Sequence, residues 1–186
     1  MDNGAGSYRR FREGGDENGL IEIIRDYKDG LILYLNSIVG NISTAEELAE
    51  DTFVLLGIKK PKDKGKGSFK TWLYTIARNK AIDYLRRSSK IRETSVEDCR
   101  TLGVDTESLE CAYIREESKI TLFRAMEKLK PEYRQILWLI YFEDFSHKQA
   151  AEVMGKSVHN TETLVYRARR SLKSVLEAEG FVYEDL

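Results

Sequence analysis

The sequence predicts an all-α protein: two small helical domains joined by a flexible acidic linker, the C-terminal one a helix-turn-helix. Three observations carry that expectation. Apolar residues recur at steps of three and four, with no sustained strand-like alternation. Hydroxyl residues followed three positions later by Glu or Gln mark helix starts, and glycines mark stops. Charge is segregated: the 186 residues sum to −1, yet Met1–Ile58 carries −6, Lys59–Arg92 +10, Glu93–Glu117 −6 and Ser118–Leu176 +5.

The first helix is read from Leu20, Ile23, Ile24, Tyr27, Leu31, Tyr34, Leu35 and Ile38, which share one face, with Gly40 as its stop. "NISTAEELAEDTFVLLGIKK" restarts at Ser43 or Thr44, followed three residues on by Glu46 or Glu47, and turns Leu48, Ala49, Phe53 and Leu56 inward. "KKPKDKGKGS" interrupts the pattern with Pro61, Gly65 and Gly67 before Ser68 caps "FKTWLYTIARNKAIDYLRR". On that third helix Phe69, Trp72, Leu73, Ile76, Ala77 and Tyr84 form the inner face, leaving Thr71, Tyr74, Thr75, Arg78, Ile82 and Arg86 outside.

Residues 1–87 therefore read as one domain, 88–117 as an acidic linker and 118–186 as a second domain. "SKITLFRAMEKL" places Ile120, Phe123, Ala125 and Met126 near its core, and Pro131 opens "PEYRQILWLIYFE", which is apolar nearly all round and so central. Ser146 and Gln149 then make a capping pair, Gly155 releases the chain, and Ser157 caps a last helix with Val158, Val165, Ala168 and Leu172 inward. Two helices meeting at a three-residue corner have the helix-turn-helix shape, which presents its second helix to a major groove. His159, Asn160, Glu162, Thr163, Arg167, Arg169 and Arg170 face outward there. The alternative is an αα-hairpin with a solvated basic face.

Composition excludes other classes. With 41% hydrophobic residues the chain has ample core material, and no apolar run approaches the roughly 18 to 20 residues that cross a bilayer. "MDNGAGSYRRFREGGDENG" lacks the apolar centre of a signal peptide, so a cytoplasmic protein is expected, with Cys99 and Cys111 as incidental thiols. "KKPKDKGKGS" and the "GKS" at Gly155 both fail the order and preceding strand of a phosphate-binding Walker loop. His147 and His159 have no cysteine or carboxylate set at metal-ligand spacing, so neither metal nor cofactor is expected. Glu47, Glu50 and Asp51 line one helix edge, a docking surface for a basic protein, a weak magnesium site or simply a solvated edge. In the +10 block, Lys62, Lys64 and Lys66 precede a helix carrying Trp72, Arg78 and Asn79, a combination suited to nucleic acid: cations for phosphate, an aromatic for stacking, Asn for a base edge. The bulk of the Trp72 ring belongs to the core on this reading.

In this order and spacing, "AEELAEDTF", "GSFKTWLYTIARNKAIDYLRR" and "FSHKQAAEVMGKSVHNTETLVYRARRSL" resemble the bacterial sigma factors of the extracytoplasmic-function group, from about Leu20 to Leu176. The resemblance implies a subunit without catalytic activity that binds core RNA polymerase and promoter DNA and is held in check by an anti-sigma factor. It places Glu47, Glu50, Asp51 and Phe53 against the clamp helices of the largest polymerase subunit. It places Asn79 on the minus-ten element, with Trp72, Arg78, Asp83, Arg86 and Arg87 beside it, and the last helix on the minus-thirty-five element. Lys62, Lys64 and Lys66 fall in a loop that in the family captures a flipped base, which stabilises open DNA by binding alone. Family members often have an aromatic residue and an Arg-Gly pair in that loop, where this chain has Asp63, Lys64 and Gly65.

Overall fold

The computed structural model describes residues 3–63, 67–94 and 117–180. Among them are eight α-helices and one π-helical turn, with no strand, as expected of an all-α protein. The first unit holds α1 (Asn3–Gly14), α2 (Glu17–Val39), α3 (Ile42–Lys59) and α4 (Phe69–Thr94). The second holds α5 (Glu117–Glu127), α6 (Pro131–Leu137), the π turn Trp138–Phe142, α7 (His147–Met154) and α8 (Val158–Ala178).

Helix α1 is not signalled by the periodicity, because only Tyr8 and Phe11 mark its apolar face. Both are buried, and the Tyr8 ring lies 5.4 Å from Phe69 and 5.2 Å from Trp72. Close approach of α1 to α2 needs Gly19: a Cβ there would sit 2.3 Å from the Ser7 carbonyl oxygen. Asp16 then caps α2 by accepting from the Asn18 amide at 3.1 Å. Helix α3 starts earlier than expected. Its cap is Asn41, whose side-chain oxygen accepts from the Thr44 amide at 2.9 Å, so neither Ser43 nor Thr44 plays that part. Gly40, at φ 70, ends α2 as read from the sequence.

The core of this unit collects Ile23, Leu31, Tyr34, Leu35 and Ile38 from α2, Leu48, Ala49, Phe53 and Leu56 from α3, and Phe69, Leu73 and Ala77 from α4. Each large aliphatic side chain buried there is worth about 1.5–3 kcal/mol against solvent exposure. Tyr84, expected inward, is 40% exposed, because α4 has by then run past its neighbours. The helix continues beyond residue 87 to Thr94. Cys99 and Cys111 lie outside the described residues, as does the side chain of Ile120.

In the second unit, Ile136, Leu137 and Leu139 meet Met126 from α5, Val153 and Met154 from α7, and Leu164, Val165 and Ala168 from α8. The helix expected to be central ends in a π turn: the Glu143 amide donates to the Trp138 carbonyl at 3.2 Å and the Phe145 amide to that of Leu139 at 2.9 Å. Tyr141 and Phe142 are thereby left exposed, while Phe145 is buried. One buried apolar cluster runs through both units, with α2 packed on α6 and α4 on α7.

Candidate nucleic-acid interface

The helix-turn-helix is built from local chemistry. Ser146 and Gln149 cap α7 reciprocally: Ser146 Oγ accepts from the Gln149 amide at 3.3 Å and Gln149 Oε1 accepts from the Ser146 amide at 2.9 Å. Gly155, at φ 63, makes the corner, a left-handed conformation that glycine adopts without a Cβ penalty. Ser157 caps α8 by accepting from the Asn160 amide at 3.2 Å, and Thr161 donates back to the Ser157 carbonyl at 3.0 Å.

Helix α8 buries Thr161, Leu164, Val165, Ala168 and Leu176, one stripe at steps of three, one, three and eight. His159, Asn160, Glu162, Arg167, Arg169 and Arg170 are exposed and Thr163 is half-buried, which leaves a broad cationic face to solvent. Val158, expected inward, is 43% exposed because it precedes the first turn of the stripe. Tyr166 was not singled out by the sequence, yet it is 67% exposed on this face, four residues from both Glu162 and Arg170. An aromatic at a non-core position of a basic helix is the signal that marks it.

The minus-ten candidates fall in less uniform surroundings. Asn79, Asp83, Arg86 and Arg87 are exposed on α4, and Arg86 pairs with Asp83 at 3.6 Å. Trp72 is half-buried between Tyr8 and Phe69, at 5.2 and 5.6 Å, as a core residue with one free edge. Arg78 is half-buried beside Tyr34, and among the described residues neither its Nε nor the Tyr34 hydroxyl has a hydrogen-bond partner. Burial pushes the Tyr34 phenol well up, with the Arg78 charge opposing. Tyr74, expected on the outer face with Arg78, is buried, and so is Thr71, because the second unit covers that side of α4.

Lys62 is exposed at the start of the lysine loop, while Lys64 and Lys66 lie outside the described residues. Helix α1 anchors the loop: the Tyr8 hydroxyl donates to the Pro61 carbonyl at 2.6 Å, and the Lys60 ammonium sits 4.5 Å above the Phe11 ring. Burial pushes the Tyr8 phenol up to about 12.

Glu47, Glu50 and Asp51 are exposed along α3, with Asp51 3.5 Å from Lys80 of α4. Phe53 does not share that exposure. It lies in the core, 6% exposed, and supports the edge from beneath. The exposed apolar residues Val54 and Ile58 extend the edge toward the end of the helix. Anionic α3 thus contrasts with cationic α4 and cationic α8. Among the described residues no helix is long and apolar enough to cross a membrane.

Comparison with known proteins gives this arrangement a family. Residues 23–91 match the family model described as Sigma-70 region 2, and residues 120–172 match Sigma-70, region 4. The chain is 32% identical over 153 residues to the RNA polymerase sigma factor YlaC of Bacillus subtilis (strain 168), covering 82% of this chain and 88% of that protein. It is 30% identical over 155 residues to the ECF RNA polymerase sigma factor SigM of the same organism, covering 83% and 93%. The sigma factor RpoE, solved in complex with the anti-sigma factor NepR from Bartonella quintana, has a similar fold: TM-score 0.65, 22% identity, 84% of this chain and 95% of that one. This chain belongs to the extracytoplasmic-function group of the sigma-70 family of RNA polymerase sigma factors.

Proposed function

We infer that this chain directs core RNA polymerase to specific promoters and assists their opening, without catalytic activity of its own. The observation that carries this is the pairing, on one chain, of a region 2 match holding an acidic edge and a cationic helix with a region 4 match holding the capped reading helix. The edge of Glu47, Glu50 and Asp51 docks on the polymerase, with Phe53 holding α3 in place under it. Lys62, Lys64 and Lys66, together with Trp72, Arg78, Asn79, Asp83, Arg86 and Arg87, engage the minus-ten element. His159, Asn160, Glu162, Thr163, Arg167, Arg169 and Arg170 meet the minus-thirty-five element, the arginines on phosphate. Residues 1–87 and 118–186 act as the two domains, with 88–117 between them, in the cytoplasm where polymerase and DNA are found. An anti-sigma factor is the expected negative partner.

The experiment is transcription by core polymerase plus this chain across a library of genomic promoter fragments, with a polymerase pull-down alongside. Retention by polymerase and initiation at a defined subset of fragments is expected. A chain that polymerase does not retain, or that binds palindromic duplex tightly by itself, would instead be a stand-alone helix-turn-helix regulator.

A further inference from the structure

Gly30 lies in the interior of α2, where glycine weakens a helix relative to alanine. Its reason is tertiary. A Cβ at this position would sit 2.7 Å from Glu143 Oε1 and 2.8 Å from the Tyr74 hydroxyl, so the missing side chain opens a niche in the first unit that a carboxylate from the second unit fills. The Glu143 side chain is 10% exposed there. Its Oε2 accepts from the Tyr74 hydroxyl at 2.6 Å and lies 2.9 Å from Lys70 Nζ, which also donates to the Glu143 carbonyl at 2.8 Å. Next to it the Phe145 ring meets Tyr74 edge-on at 5.2 Å, with the Lys70 ammonium 5.1 Å above it.

Further contacts flank this one. Arg134 Nε donates to the Ser37 carbonyl at 2.7 Å, and Gln149 Nε2 donates to Ser68 Oγ at 3.4 Å. A Cβ on Gly67, at the end of the lysine loop, would be 3.0 Å from a Glu152 oxygen, so α7 brings a carboxylate to the loop's base. The π turn aims Glu143 at the niche: its additional residue rotates the chain beyond it by about 100° compared with a plain α-helical ending. A carboxylate is stable in such a place only when donors satisfy it, and Tyr74 and Lys70 do so in this arrangement alone.

We propose that Glu143, seated in the Gly30 niche, is the latch of a closed state in which the second unit is held against α4, so that the two cationic surfaces, each exposed, are fixed too close together to reach both promoter elements at once. Arg78 succeeds Lys70 and Tyr74 at steps of four on α4 and so lies along the same covered stripe. The span of a promoter requires opening: its two elements are about 25 base pairs apart, on the order of 80 Å, whereas a compact chain of this length has a radius of gyration of ~16 Å. That the closed state is inactive rests on the promoter-binding role proposed for this chain; the seam itself does not.

The test uses the full chain with Cys99→Ser and Cys111→Ser, spin-labelled at Arg25→Cys and Ser174→Cys, and reads the distance between labels. The parent should give one short distance. Gly30→Ala improves helix propensity but fills the niche, and should shift the balance toward long distances by about tenfold or more. Glu143→Ala should do the same, and adding Gly30→Ala to it should open the chain by less than the two single effects combined, since the contact with the carboxylate is gone and only that with the Tyr74 hydroxyl remains. Lys70→Gln, which leaves both cores intact, should also lengthen the distance. A parent that is already extended, or Gly30→Ala and Lys70→Gln chains as closed as the parent, would overturn the latch. Polymerase-dependent transcription with the same proteins tests the promoter reading separately, because the distance measurement contains no polymerase.

Discussion

Helices α4 and α8 begin alike and are used differently. Each starts at a serine cap, Ser68 accepting from the Thr71 amide at 3.1 Å and Ser157 from the Asn160 amide at 3.2 Å, and each carries several cations. Helix α8 buries a single stripe and gives the rest of its surface to water. Helix α4 is covered on two sides over its first turns, by Phe69, Leu73 and Ala77 toward its own core and by Tyr74 and Lys70 toward the second unit. The outward face of α8 is set by its own amphipathic pattern. That of α4 depends on what is docked against it, so identical rules of periodicity identify one interface and overestimate the other.

The comparison can be broken hardest at the core of α4. Leu73 is fully buried, and Leu73→Ala should cost about 2–5 kcal/mol in denaturant unfolding, whereas Arg169→Ala on the free face of α8 should stay within about 0.5 kcal/mol. Equal effects would mean that α8 is less autonomous than its burial pattern says. Replacing Arg167, Arg169 and Arg170 together by alanine should lower the log–log salt slope of promoter binding by about 3 while leaving the thermal midpoint nearly unchanged. An unaltered slope would remove these arginines from phosphate contact.

A smaller effect sharpens the junction between the two helices. Asp144 holds φ 54 just after the π turn, so Asp144→Gly should raise stability by about 0.5–1 kcal/mol in thermal unfolding; a loss would show that the aspartate side chain contributes more than the strain removes. The smallest effect concerns the α1 anchor under α4. With the Tyr8 phenol pushed up to about 12 when folded and near 10 when unfolded, the unfolded chain releases that proton first, so stability falls as pH rises between those values. Tyr8→Phe should make the decline between pH 10 and 12 shallower, measured as midpoint against pH. An unchanged limb would assign the alkaline transition to Tyr34 and Tyr74, whose phenols burial also pushes up.

Much of the fold is legible because it is written locally. Ser146, Gln149, Gly155 and Ser157 specify the helix-turn-helix corner through hydrogen bonds and one positive φ, and the structure uses each of them as read. Helix α1 gives no comparable signal, because Tyr8 and Phe11 are too few to make a period; its helical state is supported by burial against Phe69 and Trp72, far away in sequence. Periodicity misplaces Tyr74 for the complementary reason. On an amphipathic wheel it belongs to the outside, and only the arrival of Glu143 and Phe145, some seventy residues later, turns that outside into an interior.

The sequence by itself determined most of the helices, the caps at the helix-turn-helix corner and the charge of each face, since all of these depend on residues within a few positions of one another. Only the tertiary structure decided that Phe53 is core, that Gly30 is a receptor for a distant carboxylate, and that the two units share one buried cluster. Contacts across a long stretch of chain are selected by shape and by the satisfaction of buried polar groups, and neither property has a local period to be read.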